Sequence, residues 1–340
     1  MRVGMYYGNK DVRVEEKPTP EIEKGELLVR VMASGICGTD VVEWYRRHKI
    51  PLVLGHEIAG EVVAVGDGVK QYKVGDRVSA SHHVPCGECH YCLMGHHTTC
   101  DMLRKTNFHP GGFSEFVRLP KINVEKGVYR LPEKVSFEAG TFTEPLACAI
   151  RGQRLARYRR GQTLLVIGSG ISGLLHIKLA KSKAFGKIIA TDINDFRLKK
   201  AKEFGADYIF NAKEDVPVKV KECNNGKLAD LVILCAGAQK AFLQAFKSVE
   251  RGGTILVFAS AGEGERLTLP INEFFWKNEV NVLSSYAATP EEHLQALELI
   301  GEDKVNVEDM ITHRFSLGDI QKGFDLVQEA EESIKVIIKP

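Results

Sequence analysis

The pattern of apolar and polar positions changes character near residue 150. Before it, short apolar or alternating runs at 27–32, 60–65 and 77–81 are separated by Gly, Pro and Asp. That punctuation belongs to strands joined by turns. Beyond residue 160 strands and helices alternate. Thr163–Ile167 is an apolar strand, 171–183 carries a helical pattern, 188–191 is a second strand and 195–204 a second helix. The runs at 231–235, 241–249 and 254–258 repeat the alternation, and a helix near 290–300 and an apolar strand, Lys335–Lys339, follow. Strands this apolar, separated by helices, belong to a parallel sheet covered on both faces. The expected class is therefore α/β, a mainly-β domain followed by a doubly wound parallel sheet.

Composition narrows the partners. A chain of 340 residues is long enough for two domains with separate cores. Its 44% apolar and 26% charged residues are ordinary for a globular protein. A formal charge of +2 is too small to imply a nucleic-acid or membrane-surface partner. No apolar run reaches the ~18 residues of a spanning helix. Behind Arg2 there is no apolar signal-peptide core, so a cytoplasmic location is expected. The basic cluster 154–160 reads as a solvated face.

The strand at 163–167 runs into Gly168-Ser169-Gly170-Ile171-Ser172-Gly173, a Gly-x-Gly-x-x-Gly opening a helix. Gly168 makes the tight turn, Gly170 lets the backbone approach a pyrophosphate, and Gly173 lets helix and strand pack closely. The helix N-terminus, beginning at Ile171, offers free N–H groups to phosphate. Asp192 ends the next strand about 20 residues on, as a dinucleotide fingerprint requires. A carboxylate there accepts from the ribose hydroxyls and repels a 2′-phosphate, which favours NAD over NADP. Arg197, five residues further on, reads as flanking the adenine.

Four of the eight cysteines are crowded as Cys86, Cys89, Cys92 and Cys100, while Cys37, Cys148, Cys223 and Cys235 are scattered. Disulfides are rare in the cytosol, and crowding at this spacing points to metal. Four thiolates leave no open coordination position, hence a structural zinc. An iron–sulfur cluster is the rival reading, but its last cysteine is usually followed by Pro, and Asp101 stands here. His90, His96 and His97 read as surface residues.

Gly35-Ile36-Cys37-Gly38-Thr39-Asp40 and Gly55-His56-Glu57 supply a lone cysteine and, about 20 residues later, a His–Glu pair. With the four-cysteine lobe and the nucleotide motif, in this order, the chain resembles the zinc-containing medium-chain alcohol dehydrogenases. Glu144-Pro145-Leu146 is similar to the sorbitol and polyol branch, with L-threonine dehydrogenases as neighbours. The resemblance implies a GroES-like catalytic domain over 1–148, a Rossmann NAD-binding domain over 149–286, and a return to the first domain over 287–340. It also implies two zinc ions per chain. The catalytic one is held by Cys37 and His56, with Glu57 or Glu144, or both in different states, completing the set. Cys148, four residues past Glu144, reads as a packed thiol.

The implied reaction interconverts a secondary alcohol and a ketone, the metal polarising the substrate oxygen while a hydride passes to nicotinamide. Thr39 resembles the hydroxyl that leads the alcohol proton to solvent. Val42 stands where many relatives continue that relay with histidine, leaving ribose hydroxyls, water, Glu43 or His48. Asp40 is placed to orient His56. The basic run 46–49, with Arg104 and Lys105, either faces solvent or favours an anionic substrate, and Trp44, Phe108 and Phe113 either wall the pocket or pack. A polyol, sugar acid or sugar phosphate ranks first as substrate, L-threonine or another β-hydroxy compound second, and simple alcohols third. The competing classes are a non-catalytic NAD- and zinc-binding regulatory protein and the zinc-free quinone or enoyl reductases. The first is expected to lose Cys37, His56 and Glu144, and the second lacks both metal sites. The resemblance further implies a homo-oligomer, a tetramer or else a dimer, with 280–283 as a candidate pairing strand.

Overall fold

The strand Leu27–Ile36 organises one half of the molecule. Leu27, Val29 and Val31 alternate inward, and from Ala33 onward every residue is buried. The reason lies in its edges. Along one it pairs antiparallel with Glu57–Val65; along the other it takes Phe116–Leu119 first and Lys335–Lys339 last. The seven-stranded sheet runs Ile311–Ser316, Lys335–Lys339, Leu27–Ile36, Glu57–Val65, Arg77–Ala80 and Val128–Arg130, with Phe116–Leu119 beside Leu27–Ile36. A three-stranded sheet of Asp11–Glu16, Arg2–Gly8 and Leu52–Val53 accompanies it. Val29, Val62, Val78, Phe108 and Val117 fill one core, and Tyr6, Ile36, Phe113, Phe324 and Val336 another. Each such fully buried side chain contributes about 1.5–3 kcal/mol. Phe108 and Phe113 are thus core residues and not pocket walls.

The computed structural model describes residues 1–340 as two units, Met1–Ala147 with Ala287–Pro340, and Cys148–Tyr286. The division falls within the helix Thr143–Leu155. No helix is long and apolar enough to cross a membrane.

The second unit is a six-stranded parallel sheet in the order Tyr208–Asn211, Lys187–Asp192, Thr163–Ile167, Ala229–Leu234, Val249–Val257 and Asn281–Ser284. This is the doubly wound order of a dinucleotide-binding fold. Thr163–Ile167 is central and buried throughout, because it pairs with Lys187–Asp192 on one side and Ala229–Leu234 on the other. Apolar periodicity does not mark the four-residue edge strand Tyr208–Asn211 or the helix Val216–Cys223. Both are short, and the former is only half-buried.

The glycine turn is as tight as its spacing requires. Gly168 has φ +92°, open to glycine with little strain. A Cβ on Gly173 would lie 2.0 Å from the Gly168 carbonyl oxygen. Gly173→Ala therefore has to push helix from strand, and is expected to cost about 1–3 kcal/mol. Thermal unfolding with and without dinucleotide checks this; an unchanged melting temperature and affinity would contradict the close-packing account.

Candidate active site and zinc centres

The loop carrying Cys86, Cys89, Cys92 and Cys100 folds round its own sulfurs. Cys86 Sγ lies 4.0 Å from Cys92 Sγ and 3.6 Å from Cys100 Sγ, and all four sulfurs lie within 4.8 Å of one another. Zinc–sulfur bonds of about 2.3 Å in a tetrahedron separate the thiolates by roughly 3.8 Å. The residues therefore fit one zinc ion. The Cys89 amide donates to Cys86 Sγ at 3.3 Å and the Cys86 amide to Cys100 Sγ at 3.5 Å. The Glu88 and Cys89 amides hold the Cys86 thiol below its usual range, whereas burial pushes Cys92 up to about 12. Burial also opposes the Cys100 charge, but amide donors outweigh it and bring that thiol down to about 6. Four sulfurs this close cannot all ionise without a cation, and a divalent ion removes the conflict. His90 and His96 are exposed, and His97 stands outside the sulfur set.

The second cluster forms where two paired strands meet. Cys37 follows the last residue of Leu27–Ile36, and Glu57 opens the neighbouring strand with Gly35 opposite it. One ligand atom each from Cys37, His56 and Glu57 falls within 4.8 Å of the others. Cys37 caps the short turn Gly38–Val41, its Sγ accepting from the Thr39 amide at 3.5 Å and the Thr39 hydroxyl at 3.3 Å. Asp40, wholly buried, accepts from the Cys37 amide at 3.1 Å, and its other oxygen lies 3.5 Å from His56 Nδ1. With Nδ1 turned to Asp40, Nε2 is the nitrogen left to face a metal.

Charge explains what this pocket attracts. Burial works against ionised Asp40, yet His56 and Arg46 hold its carboxyl below the ordinary range. Burial likewise disfavours a charged His56, but Asp40 and Cys37 raise it well above its usual value. Cys37 and His56, side by side, could take up a cation, either a proton on His56 or a metal that both residues would hold. The donor set of sulfur, nitrogen and oxygen suits zinc.

The two carboxylates left open by the sequence differ in their surroundings. Glu57 pairs with Lys335, both almost free of solvent contact, and Lys335 Nζ lies 3.4 Å from the Ile36 carbonyl oxygen. Glu144, half-buried in the first turn of Thr143–Leu155, is not in the 4.8 Å set. Sequence reasoning missed Lys335; the signal available was a lysine opening a strand whose next three residues are apolar. It also missed His82 and His83. Their rings lie 3.7 Å apart, with His82 4.8 Å from His56. Desolvation pushes His82 well below the usual histidine range and His83 to about 4, so both are neutral imidazoles beside the site. Of the basic run, Arg47, His48 and Lys49 are exposed, but Arg46 turns inward to Asp40. Arg104 and Lys105 are exposed.

At the nucleotide motif, Gly170 caps the helix Ile171–Ser182 and Asp192 ends the adjacent strand. The Asp192 carboxylate is buried, accepting from the Ser169 amide at 2.7 Å and the Asn194 amide at 2.9 Å. Arg197 Nη1 would lie 3.9 Å from a Cβ on Gly170, so its guanidinium stands beside the glycine turn.

A zinc-fitting thiolate lobe, a mixed-ligand pocket and a doubly wound nucleotide unit together define a zinc-binding dehydrogenase. Residues 23–133 match the alcohol dehydrogenase GroES-like domain, and residues 172–302 match the zinc-binding dehydrogenase domain. Sorbitol dehydrogenase of Bacillus subtilis is 30% identical over 354 residues, covering 100% of this chain and 97% of that protein. L-threonine 3-dehydrogenase of Bacillus licheniformis is 32% identical over 341 residues, covering 98% and 96%. The crystal structure of galactitol-1-phosphate dehydrogenase from Escherichia coli superposes with a TM-score of 0.88 at 28% identity, covering 100% of both chains. The chain belongs to the zinc-containing medium-chain alcohol dehydrogenase family, and is a zinc-dependent, nicotinamide-dinucleotide-linked oxidoreductase acting on small-molecule alcohols.

Zinc content separates the two centres. Cys89→Ser is expected to lower zinc from two ions to one per chain and to depress the melting temperature by several degrees. Cys37→Ser should also remove one ion but leave the melting temperature nearly unchanged. Equal thermal losses in the two variants, read by metal analysis and calorimetry, would contradict this division.

Proposed function

We propose that this protein is an NAD-linked dehydrogenase of a polyol, sugar acid or sugar phosphate, with the catalytic zinc held by Cys37, His56 and Glu57. Glu144 is the second carboxylate proposed for the site. The observation carrying this reading is the convergence of one sulfur, one nitrogen and one carboxylate oxygen within 4.8 Å. Three protein ligands leave a position for substrate. Replacing a second thiolate by carboxylate makes a harder set, suited to a substrate that chelates through two oxygens.

When bound, zinc supplies Lewis-acid polarisation and the dinucleotide supplies the hydride acceptor. The chain's own part is positional. Asp40 keeps His56 Nδ1 engaged, which holds the ring in one orientation. Thr39, with its hydroxyl 3.3 Å from Cys37 Sγ, leads the alcohol proton toward solvent. Val42 offers no side-chain continuation, so the proton's further path runs through water, a ribose hydroxyl, Glu43 or His48. Asp192 selects NAD: its buried carboxylate, fixed by two amides, repels a 2′-phosphate.

A β-hydroxy amino acid is the second reading, favoured by the similarity to L-threonine 3-dehydrogenase along nearly the whole chain. Cys37, Cys86, Cys89, Cys92 and Cys100, gathered as metal-ligand sets and not as disulfides, support a cytoplasmic location. Asn281–Ser284 is an edge strand, with Val282 and nearby Ile271 and Trp276 exposed, and this supports pairing with a second copy toward a dimer or tetramer.

Nicotinamide reduction across polyols, sugar acids, sugar phosphates and L-threonine, with NAD and with NADP, tests the reading. Turnover of a polyhydroxylated class with NAD, lost on chelation, is the expected result; turnover confined to L-threonine would replace it with the second. Asp192→Ala is expected to narrow the preference for NAD by about tenfold, the equivalent of roughly 1.4 kcal/mol. An unaltered ratio of kcat/KM values would remove Asp192 from cofactor choice.

A further inference from the structure

Of the basic run after the catalytic cysteine, only Arg46 is drawn inside. Its side chain is 13% exposed against 0% for Asp40, and Nη2 lies 3.5 Å from Asp40 Oδ1. Its Nε donates to the Thr39 carbonyl at 3.3 Å, and the guanidinium lies 4.8 Å from the centre of the Tyr45 ring. One planar group thus grips two successive residues, Thr39 and Asp40, two and three positions after Cys37.

Those residues touch two of the proposed zinc ligands, Cys37 and His56. Asp40 accepts from the Cys37 amide with one oxygen and faces His56 Nδ1 with the other. The Thr39 amide and hydroxyl both donate to Cys37 Sγ. When His56 binds a metal it does so as a neutral imidazole, and Arg46 is then the cation facing buried Asp40. A buried carboxylate with no cationic partner is strongly disfavoured and turns toward water, releasing the Cys37 amide and the His56 ring together.

We propose that Arg46 is a positioning residue for the catalytic zinc, holding Asp40 and the Thr39 carbonyl so that Cys37 and His56 stay in ligating geometry. It is not an arm for an anionic substrate. Lysine is a poor replacement, because a point charge reaches one of the two contacts where the guanidinium fork reaches both. The inference rests on Cys37 and His56 being zinc ligands.

The test is zinc transfer from the two-zinc protein to a chelating dye, for wild type, Arg46→Met, Arg46→Gln and Arg46→Lys, together with the visible spectrum after cobalt(II) exchange. Loss of an outer partner typically costs 10–100-fold in metal affinity. In Arg46→Met one of the two ions is expected to leave about tenfold faster, with the four-thiolate ion unchanged as internal control and the cobalt bands shifted. Arg46→Lys should fall between Arg46→Met and wild type, and Arg46→Gln serves if the methionine variant does not fold. Wild-type release rates and cobalt bands in Arg46→Met or Arg46→Gln would overturn the proposal. So would a KM increase confined to sugar phosphates with zinc retention unchanged. A wild-type chain that holds a single zinc would instead overturn the underlying catalytic-zinc reading.

Discussion

Three strands meet at Gly35, and the lack of a side chain there lets a buried carboxylate and a buried ammonium share one space. Gly35 stands opposite Glu57 on one side and Ile337 on the other. A Cβ at this position would lie 2.3 Å from Glu57 Oε2 and 2.6 Å from Lys335 Cε. Any other residue would force the pair apart. The sheet, the ion pair and the start of the catalytic loop are therefore one packing problem. Its solution leaves Cys37 just past the strand end, with His56 and Glu57 at the mouth of the neighbouring strand.

Around that point, charge is managed by pairing and not by solvent. Glu57 has Lys335, while Asp40 has Arg46, His56 and the Cys37 amide. Breaking such a buried pair typically costs about 3–5 kcal/mol, since the remaining charge has nowhere to go. The neutral His82 and His83 beside them add polarity without adding charge. The first unit thus balances the ionised groups around Cys37 and His56 one by one. The thiolate lobe follows different physics. Four sulfurs share one centre, and little except backbone amides stands behind them.

Much of this was legible in the residues, for identifiable reasons. Thr163–Ile167, the glycine turn and Asp192 are local, carried by apolar runs and fixed spacing. The four crowded cysteines likewise declare a tetrahedral site within fifteen residues of chain. Contacts made across long separations were not legible. Lys335 joins Glu57 only because a late strand pairs with an early one, and no periodicity announces that. Arg46 looked like its exposed neighbours Arg47 and Lys49; its inward turn depends on a buried carboxylate six residues earlier. Phe113 and Phe108, candidate pocket walls by position, proved to be core because strands converge on them. Glu144 was suggested by similarity to relatives, and similarity in sequence does not fix which carboxylate a given conformation turns to the ligand set.

The Glu57–Lys335 pair also sets an order of events in the life of the chain. Its partners are separated by 278 positions, with the whole dinucleotide unit between them. At a synthesis rate of roughly 5–20 residues per second, the interval between their appearances is on the order of 14–56 seconds. During that time the nucleotide unit, complete within residues 148–286, has all its strands available, while the older catalytic half still lacks the strand that neutralises Glu57. The half translated first is the half finished last. Until then Glu57 lacks the cation that lets it be buried, and it stays in water.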